Sequence, residues 1–149
     1  MKNNKGMTLV ELVVSLAVAA ILFASVSVIL FTSFKAFNNI NDSNQDKMIG
    51  DSVYILISDK IMTASKVSIL SQQSLMINDT DTISISANGT VVYNGVELYE
   101  NTFYQNRTMT ISITQYSSDK VSIYVSVYYD NKLSYSTGSV VKMLNYEFS

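Results

Sequence analysis

Residues 12–34 read LVVSLAVAAILFASVSVILFTSF, a run of 23 residues without a charged side chain. A helix rises about 1.5 Å per residue, so this run spans roughly 34 Å, enough to cross a hydrocarbon core of about 30 Å. Small side chains recur within the run and let neighbouring helices approach closely; they are Ala17, Ala19, Ala20 and Ala24. The run therefore predicts a transmembrane helix that also suits helix–helix packing.

The charges before this run orient it in the membrane. Lys2 and Lys5 precede it, and Glu11 is the nearby acid. Basic residues at the start of a span favour the cytoplasmic side, so the chain after the span is exported. We expect a single-pass membrane protein with an extracytoplasmic C-terminal domain.

Composition narrows the possible chemistry. The 149-residue chain contains no Cys and no His, and its formal net charge is −2. Without thiols and imidazoles, ordinary zinc sites and Cys- or His-dependent catalysis are excluded. We expect no enzymatic activity, catalytic residue, metal or cofactor. Direct nucleic-acid binding is also not expected, because it would need a cationic stripe; the basic residues after Val67 are Arg107, Lys120, Lys132 and Lys142.

Glu11 stands out because a charge at the membrane centre costs about 2.5–3.5 kcal/mol. One explanation is that Glu11 marks the edge of the span and reaches the cytoplasmic interface. The other is that it pairs with an amine. A cut after Gly6 would give Met7 a free α-amine four residues before Glu11, in the same helix or in a packed neighbour.

Residues 5–16, KGMTLVELVVSL, resemble the class III signal segment of the type IV pilin and pseudopilin superfamily. The resemblance implies that a prepilin peptidase cuts between Gly6 and Met7 and methylates the new Met7 amine. It also implies that Glu11 sets assembly and register by neutralising a neighbour's N-terminal amine. Other pilin subunits, an assembly platform and a motor are the further partners implied. Gly6 has no side chain to obstruct the protease, and Met7 stands where Phe is more usual.

Two other targeting signals compete with this interpretation. Ala17-Val18-Ala19 resembles the small-x-small cleavage site of a secretory signal, but the apolar run continues well past it. An uncleaved signal anchor is the second alternative. The corresponding function would be an extracytoplasmic binding or adhesion module that never polymerises.

Beyond Phe34 the pattern becomes amphipathic and predicts that the helix continues to about Ala64. Gly50 weakens a helix by about 1 kcal/mol relative to Ala, so a bend or break is possible there. The polar stretch from Asn38 to Asn44 is the expected hinge. The apolar positions are Phe37, Ile40, Met48, Ile49, Val53, Leu56, Ile57 and Ile61.

From Val67 onward the hydrophobic period becomes two, which predicts strands. Asn88-Gly89 predicts a hairpin with a type I′ turn, and Asp130-Asn131 and the segment Ser117-Ser118-Asp119 predict further turns. We expect an α+β fold, a long N-terminal helix packed on an antiparallel sheet. The predicted strands are 74–77, 82–86, 90–93, 109–114, 121–128 and 133–141.

Acidic pairs offer little candidate chemistry. Asp79 and Asp81 could begin a calcium loop, but no Gly and Glu follow at the required spacing, and a turn explains them better. Glu97 and Glu100 show no sign of a cleft and read as surface acids. Nine of the ten tyrosines lie between Tyr93 and Tyr146; half-buried strand residues explain them better than an adhesive surface.

The sequence thus predicts a membrane-held structural subunit, a minor pilin or pseudopilin, of a type IV pilus-like filament at the cell surface. Piliation, secretion and DNA uptake in competence all remain open as the system served. The expected segments are a leader (1–6), a transmembrane and assembly half of the helix (7–34), an amphipathic half (35–66) and an extracytoplasmic β-sheet domain (67–149).

Overall fold

A computed structural model describes residues 8–146, and the chain divides into two compact units between Asn41 and Asp42. Helix α1 (Leu9–Met62) begins in the first unit and ends in the second. The predicted long helix is therefore confirmed, and it ends two residues before Ala64. Residues 38–44 are helical, as is Gly50, so the possible break at Gly50 does not occur.

Gly50 is a packing residue. A Cβ at this position would lie 2.7 Å from Cδ1 of Tyr135, which is closer than two non-bonded carbon atoms approach each other. The helix thus accepts the lower propensity of glycine because a tyrosine ring occupies the space that a side chain would need. The sequence shows the cost of Gly50 but not the ring that explains it.

The second unit contains eight strands and one short helix besides the end of α1. In chain order they are β1 (Val67–Ser71), β2 (Ser74–Ile77), β3 (Asp81–Ile85), β4 (Val91–Tyr93), β5 (Val96–Glu97), α2 (Asn101–Tyr104), β6 (Arg107–Ser117), β7 (Lys120–Tyr129) and β8 (Lys132–Lys142). The six predicted strands are confirmed within a few residues at each end. β1, β5 and α2 were not predicted.

The strands form two antiparallel sheets, β1-β2-β3-β4-β5 and β6-β7-β8. The α+β architecture is confirmed, but the expectation of one sheet is wrong. Between β5 and β6 the chain forms α2 and then places Gln105 and Asn106 in the left-handed region, which redirects it. The sheets meet where Met109 N–H donates to the Gly89 carbonyl and Ile113 N–H donates to the Gln72 carbonyl, at 2.9 and 3.0 Å.

Within residues 8–146 the structure contains three type I′ turns, and none of them is at Asn88-Gly89. Both central residues have positive φ in the pairs Asn78-Asp79, Asn94-Gly95 and Asp130-Asn131, as this turn requires. At the predicted hairpin only Gly89 has positive φ, and Ser86 N–H donates to the Thr90 carbonyl at 2.8 Å across a longer loop. The predicted hairpin is confirmed, but the prediction of a type I′ turn at Asn88-Gly89 is wrong.

The core is built between the second half of α1 and both sheets. Along α1, a stripe of residues at four-residue steps is fully buried: Ile49, Val53, Ile57 and Ile61. Leu56 is half-buried, whereas Phe37, Ile40 and Met48 are exposed. The alternation of buried and exposed residues along β6 and β7 supplies the opposing face. The amphipathic pattern thus identified the buried stripe but extended it too far toward the membrane.

A buried ion pair joins α1 to the three-stranded sheet. Arg107, the first residue of β6, donates through Nε to Asp46 of α1, and both side chains are 3% exposed. The second carboxylate oxygen of Asp46 accepts from the Ser134 hydroxyl, and the guanidinium also donates to Asp42 at 3.4 Å and to the Gln105 carbonyl at 3.0 Å. The Tyr129 ring lies 4.9 Å from the guanidinium carbon. These contacts satisfy a charge pair that burial would otherwise penalise.

Candidate functional site

Glu11 and Thr8 cap the first turn of α1 with reciprocal hydrogen bonds. The Thr8 backbone N–H donates to Glu11 Oε2 at 2.8 Å, and the Glu11 N–H donates to Thr8 Oγ1 at 3.3 Å. The Thr8 hydroxyl also donates to Glu11 Oε2 at 3.0 Å. This arrangement is a capping box, which pairs donors that a helix start leaves unsatisfied.

The sequence carries a signal for this capping box, but the predictions above treat Glu11 only as a lone charge. Thr8-Leu9-Val10-Glu11 fits the pattern Ser/Thr-x-x-Glu before an apolar run. Within residues 8–146, Glu11 makes hydrogen bonds to Thr8 but no ion pair. Its carboxylate is thus held in place by its own helix while its charge is not neutralised there.

Four hydroxyl groups along the apolar run bond to their own helix. Each donates to a carbonyl one turn earlier, at 2.7 to 3.0 Å: Ser15 to Glu11, Ser25 to Ile21, Ser27 to Phe23 and Thr32 to Val28. A polar group without a partner is costly in lipid, where water is absent. These four side chains therefore place no unsatisfied hydroxyl on the surface of the helix.

The large apolar side chains from Leu12 to Phe34 are at least half exposed in this chain. By length and composition, α1 is the one helix among the described residues that could cross a membrane. In this chain, no residue of its most apolar 18-residue stretch is buried. An apolar surface of this extent needs a cover of lipid or of other protein helices.

A family model supplies the comparison that bears on this helix. The model described as the prokaryotic N-terminal methylation motif matches residues 1–27. The chain carries the class III signal of type IV pilin-like proteins. The resemblance noted from residues 5–16 is thus confirmed, and the long apolar helix followed by antiparallel sheets is a pilin-like architecture. Neither a curated protein nor a solved structure matches the chain.

The pilin-like motif includes the predicted processing residues, but their geometry is not described. Gly6 and Met7 lie outside residues 8–146. Cleavage between them and methylation of Met7 therefore stay predictions, as does the role of Glu11 in assembly. Proteins with this signal are structural rather than enzymatic, and a single N-terminal apolar helix is consistent with membrane anchoring.

Three of the four acidic residues considered for metal or catalytic chemistry bond to side chains elsewhere in the fold, and the fourth, Glu100, is exposed. Asp79 sits in the β2–β3 turn and pairs with Lys66 at 2.8 Å. Asp81 begins β3 and accepts from Asn94 Nδ2 at 3.0 Å, a bond that lowers the pKa of Asp81. Glu97 is exposed and accepts from the Thr90 hydroxyl at 2.9 Å. Among residues 8–146, His, Cys, Asp and Glu side chains form no group of three that could hold a metal ion.

The four basic residues beyond Val67 do not form one surface. Arg107 is buried in its ion pair with Asp46, so the guanidinium is not available to a phosphate. Lys142 lies 3.7 Å from Asp119. A nucleic-acid stripe would need these cations on one open face, and the burial of Arg107 removes one of them.

The tyrosines divide between core and surface. Tyr104 is buried between Tyr99 and Phe103, and its hydroxyl accepts from the Val91 N–H at 2.9 Å. Burial raises the pKa of Tyr104. Tyr116 and Tyr124 are exposed. The cluster around Tyr104 closes the core at β4 and needs no ligand to account for it.

Proposed function

We propose that this chain is a structural subunit, a minor pilin or pseudopilin, of a type IV pilus-like filament. The observation that carries the proposal is the pairing of the methylation motif with a helix whose apolar side chains are exposed from Leu12 to Phe34. A signal alone fits any anchored protein. A helix that is apolar all round and rich in small residues also fits a second environment, the packed helices of a filament.

Processing comes first in this proposal. A prepilin peptidase cuts between Gly6 and Met7 and methylates the Met7 amine. The leader with its two lysines is removed, and Met7 becomes the first residue directly before the Thr8–Glu11 capping box. The subunit then rests in the membrane by residues 12–34, with residues 42–146 as its extracytoplasmic domain.

Assembly replaces lipid contacts with protein contacts. The assembly platform and its motor move the subunit into the filament, where the span packs against the spans of other pilin subunits. Lipid tails are as apolar as leucine, so the gain comes from close packing and not from escape from water. Alanines on the span, such as Ala17, Ala20 and Ala24, permit that close approach.

Glu11 supplies the register. Thr8 donates two hydrogen bonds to its carboxylate but adds no positive charge. The methylated amine of a neighbour's Met7 adds that charge, and a buried carboxylate with a cation partner costs far less than one without. The protein performs no catalysis in this account and is located in a cell-surface filament after assembly.

Mass spectrometry of protein extracted from membranes tests the proposal. We expect a terminus at Met7 bearing an N-methyl group, and retention of Met1 in a host that lacks prepilin peptidase. A Gly6→Leu variant should also retain its leader, because a bulky side chain obstructs the cleavage point. An intact Met1 in the normal host would favour the non-polymerising anchor, and a cut near Ala19 would favour secretion; either result contradicts the proposal.

A further inference from the structure

A polar cleft lies beyond the C-terminal end of α1, between the β2–β3 turn and the β6–β7 hairpin. Its volume is about 580 Å³, which is within the range of about 300–1,000 Å³ typical of small-ligand sites. Four separate parts of the chain line it: the residues that follow α1, the β2–β3 turn, the β6–β7 hairpin and the C-terminal segment. The lining side chains include Lys66, Asn78, Asp79, Gln115, Ser118 and Tyr146.

The β2–β3 turn supplies one wall of the cleft and holds it in place. Asn78 Oδ1 accepts hydrogen bonds from the Ser65 N–H at 3.0 Å, the Ser65 hydroxyl at 3.1 Å and the Lys66 N–H at 3.1 Å. These three bonds fix the Asn78 side chain in one orientation. Its Nδ2 group makes no hydrogen bond within residues 8–146, so its N–H donors remain for a ligand.

The β6–β7 hairpin supplies a second wall. Gln115 Nε2 donates to the Ser117 carbonyl and, at 3.4 Å, to the Lys120 carbonyl. In the part of the chain that the structure describes, Gln115 Oε1 and the Ser118 hydroxyl have no hydrogen-bond partner. This wall therefore offers an acceptor and a hydroxyl. The bonds that already hold Gln115 also lower the entropy cost of binding.

The two charges of the cleft neutralise each other. Lys66 Nζ lies 2.8 Å from Asp79 Oδ2, and each side chain is 60% exposed. A ligand with a negative charge would be attracted by Lys66 and repelled by Asp79 beside it, and the reverse holds for a positive charge. A zwitterion would have to separate the pair to gain from both charges. The cleft therefore favours a ligand without charge.

The remaining groups of the cleft are both donors and acceptors. Asn78 Nδ2 donates, Gln115 Oε1 accepts, and the Ser118 hydroxyl does both. A neutral molecule that matches such a mixture carries several hydroxyl groups, since each hydroxyl donates and accepts. Tyr146 adds an aromatic ring that is half-buried and packs against the core. The face of an aromatic ring is negative and attracts C–H groups, which a sugar ring presents on its apolar side.

We infer that this cleft binds a neutral saccharide. Asn78, Gln115 and Ser118 bond to its hydroxyl groups, and Tyr146 packs against its C–H groups. The Lys66–Asp79 pair disfavours charged sugars. This activity goes beyond the proposed filament function and does not depend on assembly, because each residue of the cleft belongs to one chain.

Binding of the full chain to a glycan array tests the inference. The chain is solubilised in lauryldimethylamine oxide, because a detergent with a sugar head group would compete for the cleft. The array carries neutral oligosaccharides of glucose, galactose, mannose and N-acetylglucosamine, together with their sulfated and sialylated forms. We expect binding to a neutral oligosaccharide and weaker binding to its charged forms. No binding to any neutral member, or a preference for the charged forms, would overturn the inference and leave the filament proposal standing.

Removing one hydroxyl group locates the bound saccharide. Ser118→Ala should weaken binding of the neutral oligosaccharide found on the array by about two- to tenfold, because one hydrogen bond is lost. Ser112→Ala is the matched control: Ser112 is also an exposed serine, on β6, and does not line the cleft. Titration calorimetry measures both affinities. Equal affinities for the two variants would place the saccharide elsewhere on the protein and overturn the assignment.

A change of selectivity separates a binding role from a structural one. Asp79→Asn keeps the size of the side chain, and asparagine tolerates the positive φ of this turn position. The change leaves Lys66 without its carboxylate, so affinity for the sulfated form of the same oligosaccharide should rise about two- to fivefold at low salt. Adding Lys66→Met should abolish that gain. Circular dichroism confirms that the variants are folded. An unchanged ratio of sulfated to neutral binding would contradict the role of the Lys66–Asp79 pair.

Discussion

Two parts of one helix bury their apolar side chains in opposite ways. From Leu12 to Phe34 the large apolar residues of α1 are exposed, whereas Ile49, Val53, Ile57 and Ile61 of the same helix are fully buried. The second part finds its cover within its own domain. The first part has none in the described chain, so its stability in a cell depends on lipid or on other protein helices. The two parts also differ in composition: residues 12–34 carry no charged side chain, whereas residues 42–62 carry six, which confine the apolar side chains to one stripe that builds a core.

Removing the first part should have the largest effect. A chain of residues 42–149 keeps the buried stripe and the Arg107–Asp46 pair, so we expect it to fold and to leave the membrane fraction entirely. Fractionation with near-ultraviolet circular dichroism checks both points. All ten tyrosines lie at or after Tyr54 and there is no tryptophan, so this signal reports on the second unit. A truncated chain that stays with membranes would show that residues 42–149 also bind lipid.

Breaking the buried ion pair should have the next largest effect. Arg107→Met leaves Asp46 buried and charged, which costs about 3–5 kcal/mol of unfolding free energy. Urea unfolding of the full chain in detergent measures it. Arg107→Met combined with Asp46→Leu is expected to recover most of the loss.

Lys66→Met is the matched control for the ion pair. It breaks the pair with Asp79, whose two side chains are each 60% exposed, and should cost no more than about 1 kcal/mol. Equal losses for Arg107→Met and Lys66→Met would mean that burial of the Arg107 pair is not important to stability.

The same substitution at two positions of α1 sharpens the comparison. Ile57 is 0% exposed and Ile21 is 67% exposed. Ile57→Ala should lower the unfolding free energy of the domain by about 2–5 kcal/mol, whereas Ile21→Ala should leave that transition unchanged. Comparable shifts in urea midpoint for the two variants would contradict the division into two units.

A smaller effect concerns acid stability. The hydrogen bond from Asn94 lowers the pKa of Asp81, so the folded state binds that proton less readily than the unfolded state does. Its contribution is present above the unfolded pKa, near 4, and is lost as pH falls through the lower folded value. Below about pH 4, the unfolding free energy of the Asp81→Asn variant should therefore fall less steeply with decreasing pH than that of the wild-type chain. Asp130→Asn makes the same charge change in an exposed turn and is the control. An identical pH dependence of the unfolding free energy for the two variants would exclude the Asn94 hydrogen bond as the cause.

Local signals predicted most of the fold, and long-range contacts account for what they missed. The uncharged run, the four-residue spacing of Ile49 to Ile61 and the alternation along β6 and β7 each reflect a periodic environment. The Arg107–Asp46 pair joins residues 61 apart in sequence, and no local pattern reports such a contact. β5 has two residues, too few for a period.

The candidate site divides in the same way. Glu11 and the apolar span are evident in the sequence, and so is the Thr8-x-x-Glu11 capping pattern once the helix start is considered. A groove between the C-terminal part of α1 and β8 could not be predicted, because its lining residues, such as Ser58 and Val140, come together only when α1 packs on the sheet.

Incorporation of a Glu11→Gln chain into sheared surface filaments tests the central claim most directly. Glutamine keeps the size and much of the capping ability of Glu11 but removes the charge that would meet the amine of a neighbour's Met7. Wild-type chain and variant are compared in one host, with N-methylated Met7 measured in both to establish equal processing. The account predicts normal processing and at least about a tenfold loss of the variant from filaments. Equal recovery of the two processed chains would contradict it.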